Sequence, residues 1–95
     1  MVYYDSKDYK LIRFEESHLS QKKYDAILQN KSTKREVIVS FGAKNYQQYE
    51  DKVPLQLYSS LNHYDKKRRD RYRARHAHDI NLPYSPSWFS LKYLW

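Results

Sequence analysis

The most charged stretch of the chain is residues 63–76, HYDKKRRDRYRARH, in which seven of fourteen residues are Lys or Arg and two are Asp. Basic side chains at this density can neutralise nucleic-acid phosphates, while Tyr64 or Tyr72 stacks on bases. The same side chains can instead pair with the carboxylates of an acidic partner protein. Five of them are candidates for either contact: Lys66, Lys67, Arg69, Arg71 and Arg73.

The two acidic residues within this stretch help to choose between those partners. The segment contributes a local charge of +5 to a chain whose formal net charge is +7, so the basicity is concentrated here. On a helix, Asp65 lies one turn before Arg69, and Asp70 lies near Lys66 or Lys67, so part of the charge is neutralised internally. A helix devoted to phosphates needs no such acids. The pattern therefore favours a structural, protein-contacting role over nucleic-acid binding.

A helical projection predicts which residues of this segment face the rest of the domain. At 100° per residue, five residues fall on one stripe: Leu61, Tyr64, Arg68, Tyr72 and Arg75. An unpaired buried charge costs several kcal/mol, so Arg68 and Arg75 are expected to pair with carboxylates or stack on aromatic rings. We therefore expect both arginines to be structural.

Residue types that support catalysis or metal binding are sparse and scattered. His63, His76 and His78 lie near Asp65, but the chain has no Cys, and this spacing is weak for a metal site. A single Gly provides no phosphate-binding loop, and the acids lie beside basic residues instead of converging. The sequence predicts no catalytic residue, no metal site and no cofactor, and the chain is interpreted as a non-enzyme.

Length and composition restrict the class of protein. The 95 residues fit one small domain, and the absence of Cys excludes a disulfide scaffold. No long apolar run is present, and the first ten residues lack a signal-peptide core, so no membrane insertion is expected. Eleven Tyr, three Phe and two Trp provide large contact areas with polar edges, which suits both a core and an interface.

The elements that position these residues follow from periodicity and turn signals. Three runs rich in β-branched and aromatic residues predict strands at 9–16, 22–29 and 35–41, forming an antiparallel meander that Gly42 ends. Asn62 is predicted to cap the basic helix, with Asp65 three residues later in a capping-box position. The predicted fold is α+β, a single domain whose segments are a β meander at 1–42, a connection at 43–62 with a helical turn near 46–49, a basic helix at 63–77 and an aromatic C-terminal helix at 85–95.

The last predicted helix, SPSWFSLKYLW, is apolar on almost every side. Ser85 suits an N-cap and Pro86 suits the first helical position. A helix this apolar must be buried, either in the domain or in a partner. Its anchoring residues are expected to complete the core and extend into an interface: Trp88, Phe89, Leu94 and Trp95.

A linked pattern runs through the last third of the chain, from 61 to 95. It joins these residues: His63, Asp65, Arg68, Arg69, Tyr72, Arg75, His76, Tyr84, Ser85, Trp88, Phe89, Ser90, Leu94 and Trp95. The pattern resembles a family of short uncharacterised proteins encoded by large DNA viruses of eukaryotes and by some phages. The resemblance implies a viral origin and a place among small virion or infection proteins, without any established activity.

Together these features predict a non-enzymatic structural protein. The expected role is a minor capsid or virion component that bridges capsid proteins of a large DNA virus, located in the virion and in the host cytoplasm or nucleus during infection. Its expected partners are other viral capsid proteins. The alternative is a small basic protein that binds nucleic acid through residues 63–76, and any such binding is expected to be weak.

Overall fold

The computed structural model describes residues 4–95, so residues 1–3 of the predicted 1–42 segment lie outside the described residues. Three antiparallel strands form one sheet in the order β1-β2-β3: β1 (Tyr9–Glu16), β2 (Lys22–Asn30) and β3 (Glu36–Ala43). The predicted meander is confirmed, with strand ends that differ from the prediction by no more than two residues. The register of β1 against β2 shifts between Leu11 and Arg13, which marks a bulge.

One face of the sheet carries the core because alternate residues of β2 point to it. Tyr24, Ala26 and Leu28 are fully buried there, and their β3 neighbours Val39 and Phe41 are buried with them. Helix α2 (Pro86–Tyr93) covers this face and contributes buried residues from its own apolar side. The core cluster is therefore completed from outside the sheet by Phe89, Leu94 and Val53.

Helix α2 begins where the sequence predicted it. The side chain of Ser85 accepts a hydrogen bond from the backbone N–H of Trp88 at 3.1 Å, and Pro86 occupies the first helical position. Proline fits there because its missing N–H has no partner within a helix. The α+β fold class, an antiparallel sheet followed by two helices, is shown by the structure.

The connection between the sheet and the basic helix is ordered by a buried polar network. Asp51 is 2% exposed and accepts hydrogen bonds from the Tyr24 hydroxyl, from the Val53 N–H at 3.0 Å and from the Tyr58 N–H at 3.1 Å. The predicted helical turn near 46–49 is wrong, because that segment forms a turn followed by a bridge between Gln48 and Asn62.

The basic helix, α1 (Lys66–Arg75), is shorter than the predicted 63–77. Its N-cap is Asp65, whose carboxylate accepts from the N–H groups of Lys67 at 3.0 Å and Arg68 at 3.2 Å. The prediction of Asn62 as the cap is wrong, because the Asn62 side chain is engaged with Gln48 and with the Asp51 N–H. A short 3-10 helix (Ala77–Asn81) leads from α1 toward α2. Within residues 4–95, no helix is long and apolar enough to cross a membrane.

Candidate binding cleft beside the basic helix

The two acids of the basic helix do not neutralise it in the predicted way. The Asp65 carboxylate accepts hydrogen bonds from backbone N–H groups at the N-terminus of α1. The hydrogen bond from the Arg68 N–H contributes most to holding the pKa of Asp65 below its ordinary value. Asp70 is 71% exposed in its side chain and lies 3.6 Å from the neighbouring Arg69 Nε. The predicted pairs of Asp65 with Arg69 and of Asp70 with Lys66 or Lys67 are therefore wrong.

The inward face of α1 also differs from the projected stripe. Arg68 and Tyr72 are half-buried as predicted, but Arg75 is exposed and Tyr64 is 58% exposed. Arg69, placed off the stripe by the projection, is half-buried instead, with its guanidinium carbon 4.7 Å from the centre of the Tyr49 ring. Because the helix starts at residue 66, Leu61 and Tyr64 lie before its first turn, and the half-buried face of α1 runs through Arg68, Arg69 and Tyr72.

Of the two arginines expected to be structural, only Arg68 makes a polar contact with another segment. Its Nη1 donates to the Gln47 side chain at 2.9 Å, in an exposed setting. Arg75 lies with its guanidinium carbon 5.9 Å from the centre of the Tyr72 ring on the same helix. Within residues 4–95, neither arginine forms a salt bridge, so both guanidinium groups keep donors for an outside partner.

Tyr72 attaches α1 to the C-terminal end of the chain. Its ring stacks on Trp95 with centroids 4.3 Å apart and an angle of 6°, and it also stacks on His76 at 4.3 Å and 30°. Burial raises the pKa of the Tyr72 hydroxyl. Arg73 adds a second link by donating from Nη2 to the Trp95 carbonyl oxygen at 2.9 Å. Two stacked neighbours occupy the ring faces of Tyr72.

A cleft of about 700 Å³ lies between α1, the end of β3 and the end of α2. Four cationic side chains line it, Lys23, Arg68, Arg71 and Arg75, and no carboxylate does. Apolar and aromatic residues form much of the remaining wall: Ala43, Tyr46, Tyr72, Ala74, Leu94 and Trp95. The volume lies within the roughly 300–1,000 Å³ range of ligand-binding pockets. The lining therefore offers positive charge next to apolar surface.

Lys23 is the buried cation of this cleft, and sequence reasoning missed it. It is 1% exposed, and its Nζ donates to the Tyr46 carbonyl oxygen at 2.6 Å and to the Gln48 side chain at 2.5 Å. Burial lowers the pKa of Lys23 to about 8, against an opposing attraction from Asp51. Lysine is almost never fully buried without a partner, and nothing in the run KKYDAILQ distinguishes Lys23 from Lys22.

Gly42 allows the sheet, Lys23 and α2 to meet behind the cleft. Its φ is +80°, and a Cβ there would lie 2.9 Å from Leu94 Cδ1 and 3.2 Å from Lys23 Cβ. Any side chain would both strain the backbone and push Leu94 away from the sheet. The prediction that Gly42 ends the strand is wrong, because β3 continues through it to Ala43.

The remaining predicted contact residues occupy two distinct environments. Lys66, Lys67, Arg71 and Arg73 are exposed on α1, so four of the five candidate cations are open to solvent. Phe89 and Leu94 are core residues at 0% and 1% exposure. Trp88 and Trp95 are half-buried, and Lys92 Nζ lies 4.8 Å from the centre of the Trp88 ring. The C-terminal aromatic residues therefore divide between the core and a partly open surface.

The three predicted histidines do not share one site, because two of them contact Asp79 and the third lies among aromatic rings. His76 and His78 both contact the Asp79 carboxylate, at 2.8 Å and 3.1 Å. His63 accepts from the Asp65 N–H through Nδ1 at 2.8 Å, and its Nε2 is buried beside Trp95 and Tyr49. Burial, with repulsion from Arg68, lowers the pKa of His63. Across the described part of the chain, no three His, Asp or Glu side chains form a group suited to a metal ion.

A second polar cluster lies on the β1–β2 turn and was not predicted from the sequence. The Nδ1 of His18 lies 2.6 Å from Asp25 Oδ2, while the hydroxyls of Ser17 and Ser40 donate to Asp25 Oδ1 at 2.8 Å and 2.6 Å. Burial alone would raise the pKa of Asp25, but these hydrogen bonds together hold it below the ordinary value. Both hydroxyls donate to the Asp25 carboxylate, so the cluster stabilises the β1–β2 turn.

Comparison with known proteins adds no family to this geometry. No protein-family model matches the chain, no curated protein matches its sequence, and no solved structure matches its fold.

Proposed function

We propose that the chain is a non-catalytic interaction protein that contacts an acidic partner protein through α1 and the adjoining cleft. The observation that carries this proposal is the combination of a cationic cleft lining with the exposed cations of α1. Helix α1 buries none of its residues, and no acid lines the cleft beside it. The cleft arginines Arg71 and Arg75 form no salt bridge within residues 4–95, so they are suited to a partner that supplies carboxylates.

The setting that fits this role best is the virion of a large DNA virus, with the chain as a minor capsid component that bridges capsid proteins. The resemblance of residues 61–95 to small proteins of such viruses supports the setting. The aromatic content supports the bridging role, because Tyr, Trp and Arg are the residue types that concentrate binding energy at interfaces. All three residue types line the cleft, where Tyr72 stacks on Trp95 and arginines lie beside the stack.

Binding to nucleic acid is a second candidate, and one observation favours it. The two acids of α1 do not form the predicted pairs, so most of the helix charge stays available for phosphates. Stacking of a base on Tyr72 is disfavoured, because Trp95 and His76 already stack on its ring. Tyr64, at 58% exposure, is the tyrosine of this segment that is free to stack on a base.

Two experiments test the proposal. Quantitative mass spectrometry of purified virions should find the chain at a fixed ratio to a capsid protein, and its absence from virions would contradict the virion assignment. A titration of the purified chain with duplex and single-stranded DNA across a salt series should show weak binding that is lost near 0.15 M salt, which is about physiological. Tight, sequence-selective binding at that salt would favour the nucleic-acid function instead.

A further inference from the structure

We propose that the cleft receives an acidic peptide segment of the partner protein, with carboxylates on Arg71 and Arg75 and an apolar side chain against the aromatic wall. This inference rests on the proposed function and names the chemistry that the site recognises. Both arginines are exposed, and both line the cleft with their charge unpaired within the described residues.

Charge complementarity selects an anionic occupant. Arg68, Arg71, Arg75 and the buried Lys23 converge on one concavity, and neutral oxygens of Tyr46 and Gln48 are the hydrogen-bond acceptors of the Lys23 ammonium. Lys23 is 1% exposed and is attracted by Asp51, so the three arginines are the groups that present positive charge to an occupant. Guanidinium groups bind carboxylates with paired hydrogen bonds, so Arg71 and Arg75 are suited to acidic side chains.

The wall of the cleft favours a peptide over a nucleic acid. Tyr72 and Trp95 stack on one another, which leaves no gap between them for an inserted base. Ala43, Ala74 and Leu94 add apolar surface that suits an aliphatic or aromatic side chain. A segment that alternates acidic with apolar residues satisfies both parts of the lining. A second copy of this chain is a poor occupant, because each copy carries a net charge of +7.

The chain offers a matched pair of variants for the test. R71Q/R75Q removes two positive charges from the cleft, and K66Q/K67Q removes two from the part of α1 outside it, which would face the rest of the partner protein and not the segment bound in the cleft. All four side chains are exposed, so neither variant should disturb the fold. Circular dichroism and a thermal melt of each variant confirm that this condition is met.

The binding probe is a fluorescein-labelled peptide of about eight residues alternating Glu with Leu, a length chosen to fill a cleft of this size. Fluorescence polarisation is measured near 0.15 M salt, about physiological, with labelled oligothymidylate of similar length as the second probe. R71Q/R75Q should weaken peptide binding about tenfold, and K66Q/K67Q should change it by no more than about twofold, since two partly exposed ion pairs are lost only in the first.

Three results would overturn the inference. Equal weakening by both variants would mean that the whole helix attracts anions without a defined site. Tighter binding of oligothymidylate than of the peptide, with the same dependence on R71Q/R75Q, would make the cleft a nucleic-acid site. No binding of either probe would remove the site altogether. If the chain is present in virions in any of these cases, the virion assignment stands and the binding of an acidic peptide in the cleft is lost. If the peptide binds as expected and virions lack the chain, the cleft assignment stands alone.

Discussion

Helices α1 and α2 each begin at a side-chain cap, Asp65 and Ser85, yet they relate to the core in opposite ways. Helix α2 buries Phe89, Ser90 and Leu91, whereas α1 buries none of its ten residues. An isolated helix of this length is not stable in water, so contacts at its ends and one side must hold α1 in place. Helix α2 therefore completes the core, whereas α1 lies on the surface with most of its cations exposed.

The contacts that hold α1 are aromatic and few. Tyr72 stacks on Trp95, Arg69 lies over Tyr49, and Arg73 reaches the Trp95 carbonyl oxygen. Trp95 follows directly after the core residue Leu94, so α1 packs against the segment that follows α2. Substitutions in the two helices should therefore have effects of very different size.

The largest effect should come from the core side of α2. Phe89→Ala removes a fully buried ring that stacks on Phe41 at 5.2 Å, and it should lower the free energy of unfolding by about 3–5 kcal/mol. Urea denaturation followed by tryptophan fluorescence measures the change. The control is Leu82→Ala, at a position 44% exposed, which should cost less than about 1 kcal/mol. Similar losses in both variants would contradict the assignment of Phe89 to the core.

Asp51 lies between β3 and α1 in sequence and ties this connection to the sheet. Asp51→Asn replaces one oxygen of a carboxylate that accepts from Tyr24, Val53 and Tyr58. A buried donor then loses its acceptor, and stability should fall by about 2–3 kcal/mol. Asp70→Asn is the control, because the Asp70 side chain is 71% exposed. A thermal melt that does not distinguish these two variants would count against the network.

The charge of Lys23 should make stability depend on pH in the alkaline range. Its folded pKa is about 8, below the ordinary lysine value of 10.5, so the unfolded chain binds more protons between these values. The penalty for burying the ammonium is complete below pH 8 and is relieved as pH rises, so stability should increase by up to about 2 kcal/mol toward pH 9.5. Above that range the effect reverses, because burial also raises the pKa values of Tyr24 and Tyr72. Urea midpoints across this range measure the slope, which Lys23→Met should abolish.

The cap of α1 should affect the helix more than the domain. Asp65→Ala removes acceptors for the N–H groups of Lys67 and Arg68, at a cost of about 1 kcal/mol within the helix. Because no residue of α1 is fully buried, hydrogen exchange should accelerate in 69–75 while the sheet stays protected. Ser85→Ala is the comparison, and there protection of the core should fall as well. Uniform loss of protection in Asp65→Ala would show that α1 is part of the cooperative core.

The smallest effect is expected from the exposed cations. Changing Lys66, Lys67, Arg71 and Arg75 together to Gln should shift the free energy of unfolding by no more than about 0.5 kcal/mol, because these side chains are exposed and form no ion pair within residues 4–95. The melting temperature of the fourfold variant is compared with that of Arg68→Ala, which loses one exposed hydrogen bond to Gln47 and shows the size of a small effect. Marked destabilisation by the fourfold change would mean that the helix charge serves the fold.

Elements with a strong local signal were predictable, and those that depend on long-range contacts were not. Strand β3 follows from the alternation of Val37, Val39 and Phe41, and α2 follows from Ser85 and Pro86. The start of α1 did not follow, because Asn62 and Asp65 are both good caps and only the contact of Asn62 with Gln48 decides between them. The inner face of α1 includes Arg69 instead of Arg75, because the helix packs against the rings of Tyr49 and Trp95.

The candidate site was predictable only in part. Its arginines and its aromatic wall lie within residues that the sequence singled out, namely Arg68, Arg71, Tyr72, Arg75 and Trp95. The third side of the cleft comes from Lys23 and Gly42, more than twenty positions earlier in the chain. No local sequence pattern predicts that Lys23 is buried, because its burial depends on acceptors provided by Tyr46 and Gln48.

The parallel stack of Trp95 on Tyr72 also gives the chain a natural optical reporter. Indole emission responds to the polarity and charge around the ring, and Trp95 lines the cleft while stacking on Tyr72 at 4.3 Å. The chain has two tryptophans, and the other, Trp88, does not line the cleft, so Trp88→Phe leaves a single emitter at the proposed binding site. Occupancy of the cleft can then be followed in unlabelled protein as a change in colour or intensity, including in mixtures where no other reporter is attached.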